Sequence, residues 1–132
     1  MSGKGDPTPK ARETAIDNAI SAGHLVMYGD AYTLLLDIDS DAALAIALDQ
    51  LERFRLRLGI IHVTMTRSPG DNVHLYVRLM KPMDRRERLF WQVALGSDCI
   101  RGALDWLWMQ GGHPEECFLV ELGGAEMTGL DV

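Results

Sequence analysis

The strongest constraint on this fold is a pair of alternating runs of residues separated by a turn. In "IIHVTMT" (60–66), Ile61, Val63 and Met65 alternate with polar residues, and "VHLYVRLM" (73–80) alternates in the same way. The intervening "RSPGDN" is rich in residue types that favour turns. Because successive side chains of a strand point to opposite faces, the sequence predicts a β-hairpin with one apolar face.

An apolar strand and an amphipathic helix are predicted immediately before this hairpin. Residues 32–39, "YTLLLDID", form an apolar run of strand length. The segment 40–59 offers Ser40 or Asp41 as a cap, an apolar stripe at helical spacing, and Gly59 as a stop. A strand, a long helix and a hairpin therefore follow one another along the chain.

Further helices and a last strand complete the predicted order. The remaining segments are a leading helix at 11–22, helices at 84–95 and 97–110 broken at Gly96, a strand at 116–122, and tails at 1–10 and 123–132. A chain of 132 residues has the length of one domain. We expect a single α+β domain over 11–122, ferredoxin-like or RRM-like. It has a four-stranded antiparallel sheet with helices on one face and an added N-terminal helix.

Charge is unevenly distributed along the chain. The net charge of −6 argues against a protein that coats nucleic acid non-specifically, because phosphate binding requires a basic surface. Residues 53–88, however, hold nine basic and three acidic residues, a local balance of +6. Two interpretations remain open: solvated helix and turn faces, or a surface that faces phosphates.

The apolar runs, the first ten residues and the cysteines indicate the cellular compartment. No apolar run approaches the roughly 20 residues that span a bilayer, and the opening "MSGKGDPTPK" has no apolar signal core. We therefore expect a cytoplasmic protein without a membrane partner. Its two cysteines, Cys99 and Cys117, are expected to be reduced, small buried thiols.

The same alternation divides polar from apolar side chains across the predicted sheet. Leu34, Leu36 and Ile38 share the face that packs on the helices, while Asp37 and Asp39 share the other. The full set predicted for the open face is Asp37, Asp39, His62, Thr64, Thr66, His74, Tyr76, Arg78 and Glu121. The aspartates of an apolar strand thus need not be buried.

Carboxylates arranged in this way suit divalent metal chemistry. Asp37 and Asp39 would have α-carbons about 6.5 Å apart on one strand face, and Glu121 could complete the set. Oxygen ligands favour Mg²⁺ or Mn²⁺, and two such ions would stabilise the attacking and leaving oxygens of phosphoryl transfer. Arg78 is a second means of relieving the repulsion among these acids. In the alternative interpretation Asp39 helps to cap the following helix and Asp37 merely faces solvent.

His74 and Tyr76 are candidates for nucleotide contacts. In the predicted plan the first strand lies in the centre of the sheet, and the strand that carries His74 runs parallel to it. His74 then lies several ångströms from the aspartates and contacts phosphate in preference to metal. Tyr76, with Arg78, could stack on and clamp a single nucleic-acid strand. The alternative for His74 is a half-exposed histidine of a strand.

Three stretches resemble one known family. "LLLDIDS", "TRSPGDNVHLYV" and "FLVEL" resemble the catalytic core of archaeo-eukaryotic-type primases and primase-polymerases, over roughly residues 30–122. "ERLFWQVALGSDCIRGAL" is similar to short primase-like proteins carried by phages. Asn72 departs from the family pattern, which has Ser two residues before the histidine.

The resemblance implies a function and a role for each matched residue. Asp37 and Asp39 match an acid-x-acid motif that binds divalent metal, and Glu121 matches a third acid. His74 matches a histidine that contacts the incoming nucleotide. The implied activity is metal-dependent nucleotidyl transfer or nucleotide binding in DNA replication, with an inactive relative left open.

Two other classes of function remain alternatives. One is a non-catalytic RRM-like module that binds nucleic acid or a replication partner. The other is a ferredoxin-like interaction or dimerisation domain. Trp106 lies off the apolar stripe of its predicted helix, and two places for it remain open: packing under the leading helix, or the contact in a homodimer.

Overall fold

The computed structural model describes residues 8–67, 72–123 and 125–131. Over these residues the chain forms α1 (Pro9–Ser21), β1 (Leu25–Tyr28), β2 (Thr33–Ile38), α2 (Asp41–Leu58), β3 (Ile60–Arg67), β4 (Val73–Leu79), α3 (Arg85–Ala94), α4 (Cys99–Gln110), β5 (Phe118–Glu121) and β6 (Thr128–Leu130). Most of the tail predicted at 1–10, and most of the predicted turn after Arg67, lie outside the described residues. No described helix has the length and apolar character needed to cross a lipid bilayer.

The main sheet has four antiparallel strands in the order β2, β4, β3, β6. This confirms the predicted α+β class, with a ferredoxin-like arrangement and a leading helix. The fourth strand is not the predicted one. Strand β6, which pairs Val63 to Leu130, comes from the segment expected to be a tail, whereas β5 pairs with β1 in a separate two-stranded ribbon.

One face of the main sheet forms the core with α2 and α3. Leu34, Leu36 and Ile38 are fully buried there, as the alternation predicted. Full burial of each such side chain contributes about 1.5–3 kcal/mol to the stability of the fold. Helix α2 begins where the Ser40 hydroxyl accepts a hydrogen bond from the backbone N–H of Ala43, and it ends at Gly59, whose φ of 68° is left-handed.

A β-bulge changes the predicted face of β3. The register with β4 shifts between Ile60 and His62, so Ile60 is buried and Ile61 is exposed. The prediction that Ile61 shares the buried face with Val63 is therefore wrong. An extra residue in one strand reverses the alternation on one side of it.

Strand β2 was expected in the middle of the sheet but lies at its edge. Its outward amides are covered by side chains of the α3–α4 region: Leu35 N donates to Gln92 Oε1 at 3.1 Å, and Asp37 N donates to Ser97 Oγ at 3.0 Å. The Asp98 N–H also donates to the Asp37 carbonyl at 2.8 Å. These bonds satisfy an edge that would otherwise be open to further pairing.

The second face of the sheet is covered at its centre. Leu35 and Tyr76 pack with Cys117 and Leu119 of the β5 region, and Met27 of β1 lies against them. The prediction of an open face is therefore wrong for this part of the sheet. The ribbon of β1 and β5 provides the cover.

Candidate functional site

Three strands bring Asp37, His74 and Glu121 together on this second face. The imidazole Nδ1 of His74 is hydrogen-bonded to Glu121 Oε1, and its Nε2 lies 3.5 Å from Asp37 Oδ1. The Thr66 hydroxyl donates to Glu121 Oε2. We call these four residues the histidine–carboxylate cluster.

The pairing of β2 with β4 explains why the cluster forms. The two strands are antiparallel and Asp37 lies directly opposite His74. The expectation of a parallel strand, with His74 several ångströms from the aspartates, is therefore wrong. Directly opposed residues of an antiparallel pair are close enough for their side chains to interact.

The cluster is almost closed to solvent. His74 is 9% exposed, and Glu121 and Thr66 are buried still further. Burial alone would lower the pKa of His74. The hydrogen bonds that its ring donates to Asp37 and Glu121, together with the negative charges of these carboxylates, outweigh burial and raise the pKa above 6.5. This environment favours the imidazolium form, which donates from both ring nitrogens at once.

Tyr76 lies beside the cluster, two residues along β4 from His74. Its ring is buried, which removes it as a stacking surface for a base in this arrangement. Burial and the nearby charges of Glu121 and Asp37 raise the pKa of its phenol above the ordinary value. The hydroxyl is therefore neutral and can donate a hydrogen bond toward the carboxylates.

Arg78 lies away from the cluster, at the other end of β4. Its guanidinium is 3.6 Å from Asp30 Oδ2 and 3.3 Å from the Thr33 hydroxyl, and it stacks over the Tyr32 ring. Four residues of strand separate it from His74, about 13 Å. In this structure Arg78 pairs with Asp30, so it does not relieve the charge of the clustered acids.

Asp39 is exposed just beyond the end of β2. The adjacent Ser40 is the N-cap of α2, one of the two caps that the sequence left open. Of the three predicted acids, the structure therefore joins Asp37 and Glu121 through His74. Asp39 remains at the surface, two residues from Asp37.

The donor set has the right chemistry for a hard cation. Carboxylate oxygens are the preferred ligands of Mg²⁺, with bonds of about 2.0–2.1 Å. As arranged here, the His74 ring lies between the two carboxylates, so one ion contacts both only after the ring leaves. Among the described residues, no three His, Cys, Asp or Glu side chains are already grouped as a cation site.

A small cavity next to Asp37, lined by both polar and apolar side chains, was not predicted from the sequence. It has a volume of about 10 Å³, room for one water molecule. Its lining includes Asp37, Ser97, Arg101 and Asp105. Arg101 and Asp105 are four residues apart on α4, with Nε and Oδ2 separated by 3.8 Å. That spacing is a helical ion-pair signal which the sequence contained.

Burial shifts the pKa values of the ionisable groups around this cavity. It raises the pKa of Asp105 to about 6, since the attraction of Arg101 offsets only part of the desolvation. Burial likewise raises the pKa of Cys117 to about 11, so this thiol is not a thiolate nucleophile. Both cysteines are free, as predicted, but Cys99 is exposed and not buried.

Comparisons of the chain with protein-family models, curated proteins and solved structures find no match.

Proposed function

We propose that this chain is a primase-polymerase-like domain whose histidine–carboxylate cluster binds a divalent metal with a nucleoside triphosphate, for nucleotidyl transfer in replication. One observation carries the proposal. Asp37, His74 and Glu121, which match three separate motifs, meet in a single hydrogen-bonded group, although His74 and Glu121 are 47 residues apart.

The charge of the cluster supports this function over a purely structural role. Two carboxylates with one imidazolium leave an excess of negative charge at a nearly buried position. Buried ionic groups are costly, and perturbed ionisable groups concentrate at functional sites. A cluster of this composition favours an additional positive charge.

Each residue has a separate role in this proposal. Asp37 and Glu121 would hold Mg²⁺ or Mn²⁺ once the His74 ring had left the space between them, and exposed Asp39 would be a further oxygen ligand. A bound divalent ion supplies positive charge that stabilises the phosphoryl oxygens during transfer. His74, no longer bonded to the carboxylates, would donate a hydrogen bond to a phosphate oxygen. In the metal-free protein the same His74 neutralises part of the acidic charge.

Binding of Mn²⁺ together with a nucleoside triphosphate tests the proposal by calorimetry. We expect Asp37→Asn and Glu121→Gln each to weaken metal-dependent binding at least about tenfold, because each removes a charged ligand. Asp17→Asn, on the exposed side of α1, removes an acid elsewhere and should bind like the parent protein. Circular dichroism checks that each variant is folded. Failure of the unaltered protein to bind would refute the proposal.

A non-catalytic nucleic-acid-binding module is the second candidate. The burial of His74 and Glu121, together with the cover over the centre of the sheet face, favours it. Such a module would use the exposed arginines of α2, including Arg53 and Arg57. Binding of a single-stranded oligonucleotide that needs no metal, and that weakens steeply with salt, would support this candidate.

A further inference from the structure

Helices α3 and α4 form an antiparallel pair with a shared surface. Gly102 permits their close approach, because a Cβ at that position would overlap with Val93 Cγ2. Near the other end of the pair, the Arg86 guanidinium lies 5.6 Å from the centre of the Trp106 ring. The beginning of α3 is thus next to the end of α4.

Large apolar side chains are exposed on this pair of helices. Their exposed fractions range from 38% to 69%, and they are Phe90, Val93, Ile100, Trp106 and Leu107. We call this set the α3–α4 apolar patch. Aromatic side chains have surfaces of about 150–250 Å² and aliphatic ones somewhat less, so at these exposed fractions the five side chains together expose on the order of 500 Å². That is near the upper end of what a typical monomer exposes in one patch.

We propose that the α3–α4 apolar patch is the interface between two copies of this chain related by a two-fold axis. Two patches together would bury about 1,000 Å², the area at which specific interfaces begin. A two-fold interface brings the same surface of each copy together. Two antiparallel helix pairs packed in this way form a four-helix bundle, a stable arrangement for apolar helix faces.

Charges at the two ends of the patch favour the same arrangement. Arg86 lies at the end of the pair where α3 begins and α4 ends. Asp98, the N-cap of α4, lies at the opposite end. A two-fold axis that lies in the interface at right angles to the helices exchanges the two ends of the patch, so it places Arg86 of each copy near Asp98 of the other. Opposite charges at the rim fix the register of an interface.

Analytical ultracentrifugation over a range of micromolar concentrations tests this interface. We expect the unaltered protein to dimerise, and Phe90→Glu and Ile100→Glu each to raise the dissociation constant at least about tenfold, because each buries a charge. Leu56→Glu is the matched control, since Leu56 is an exposed leucine on α2 at 83% exposure. It should dimerise like the unaltered protein.

Three results would overturn the inference. One is a protein that stays monomeric at the highest concentration. Another is a dimer that both patch variants leave unchanged. The third is a dimer that Leu56→Glu weakens as much as the patch variants do, which would show non-specific association. All these variants alter exposed positions, and circular dichroism confirms that they are folded. The outcome is independent of metal and nucleotide binding.

Discussion

Replacement of Asp105 by Asn should stabilise the protein at neutral and alkaline pH. The Asp105 side chain lines the cavity beside Asp37 and is only 19% exposed. Burial raises the pKa of this carboxyl from 3.8 to about 6, although Arg101 is close. Desolvation of the charged carboxyl therefore costs more free energy than the attraction of Arg101 returns. Asn keeps the shape of the side chain and removes the charge.

The sign and size of the effect follow from proton linkage. Between about pH 4 and pH 6 the folded protein binds more protons at Asp105 than the unfolded chain does, so stability falls as pH rises through this window. Each unit of pKa difference corresponds to about 1.4 kcal/mol. The upward shift in the pKa of Asp105 thus lowers the free energy of unfolding by about 2–3 kcal/mol once the group is fully ionised in both the folded and the unfolded state. Below the window the carboxyl is neutral in both states and the cost disappears.

Urea unfolding followed by circular dichroism measures this difference. We expect the free energy of unfolding of Asp105→Asn to exceed that of the parent protein by about 2–3 kcal/mol at about pH 8 and to match it at about pH 4. Asp17→Asn serves as the control, since this exposed carboxyl should show no comparable change. If Asp105→Asn were less stable than the parent at the higher pH, the pair with Arg101 would be net stabilising. The reasoning from burial would then be wrong.

Two further substitutions test the packing of the domain. His74→Gln removes the charge between Asp37 and Glu121 and should cost about 3–5 kcal/mol of unfolding free energy. Because folding raises the pKa of His74, this stabilisation is fully present below pH 6.5 and is lost as pH rises through the pKa of the folded state. In urea unfolding, the difference in free energy of unfolding between the parent protein and His74→Gln should therefore be smaller at alkaline pH. A difference that does not change with pH would contradict the charge argument. Gly102→Ala should cost about 1–3 kcal/mol, because the added Cβ overlaps with Val93. Thermal melts of the double variant with Val93→Ala should recover part of that loss, and no recovery would contradict the overlap.

Residue periodicity predicted the sides of several strands correctly. The burial of Leu34, Leu36 and Ile38, with Asp37 on the other face, follows from the alternation along β2. A fixed period of two is a local property, so it can be read without knowledge of the neighbouring strands. It failed at Ile61, where the bulge inserts one residue and reverses the pattern.

The short strands carried too little signal for a prediction. Strand β1 has four residues and β6 has three, at or below the shortest run over which alternation can be recognised. Both change the site. Strand β1 takes β5 as its partner and helps to cover the second face, while β6 completes the main sheet at the opposite edge from β2. Consequently the candidate cluster was predicted on an open face and lies on a covered one.

The sequence by itself determined the order of the helices and of strands β2 to β5, the glycine at the end of α2, and the polar character of Asp37, His74 and Glu121. Only the tertiary structure decided that β2 runs antiparallel to β4, which sets Asp37 opposite His74 and leaves Asp39 at the surface. The physical reason is that strands pair through backbone N–H and C=O groups, which are common to nearly all residues. Side-chain patterns therefore specify which face is buried, whereas the choice of partner strand depends on the packing of the whole domain.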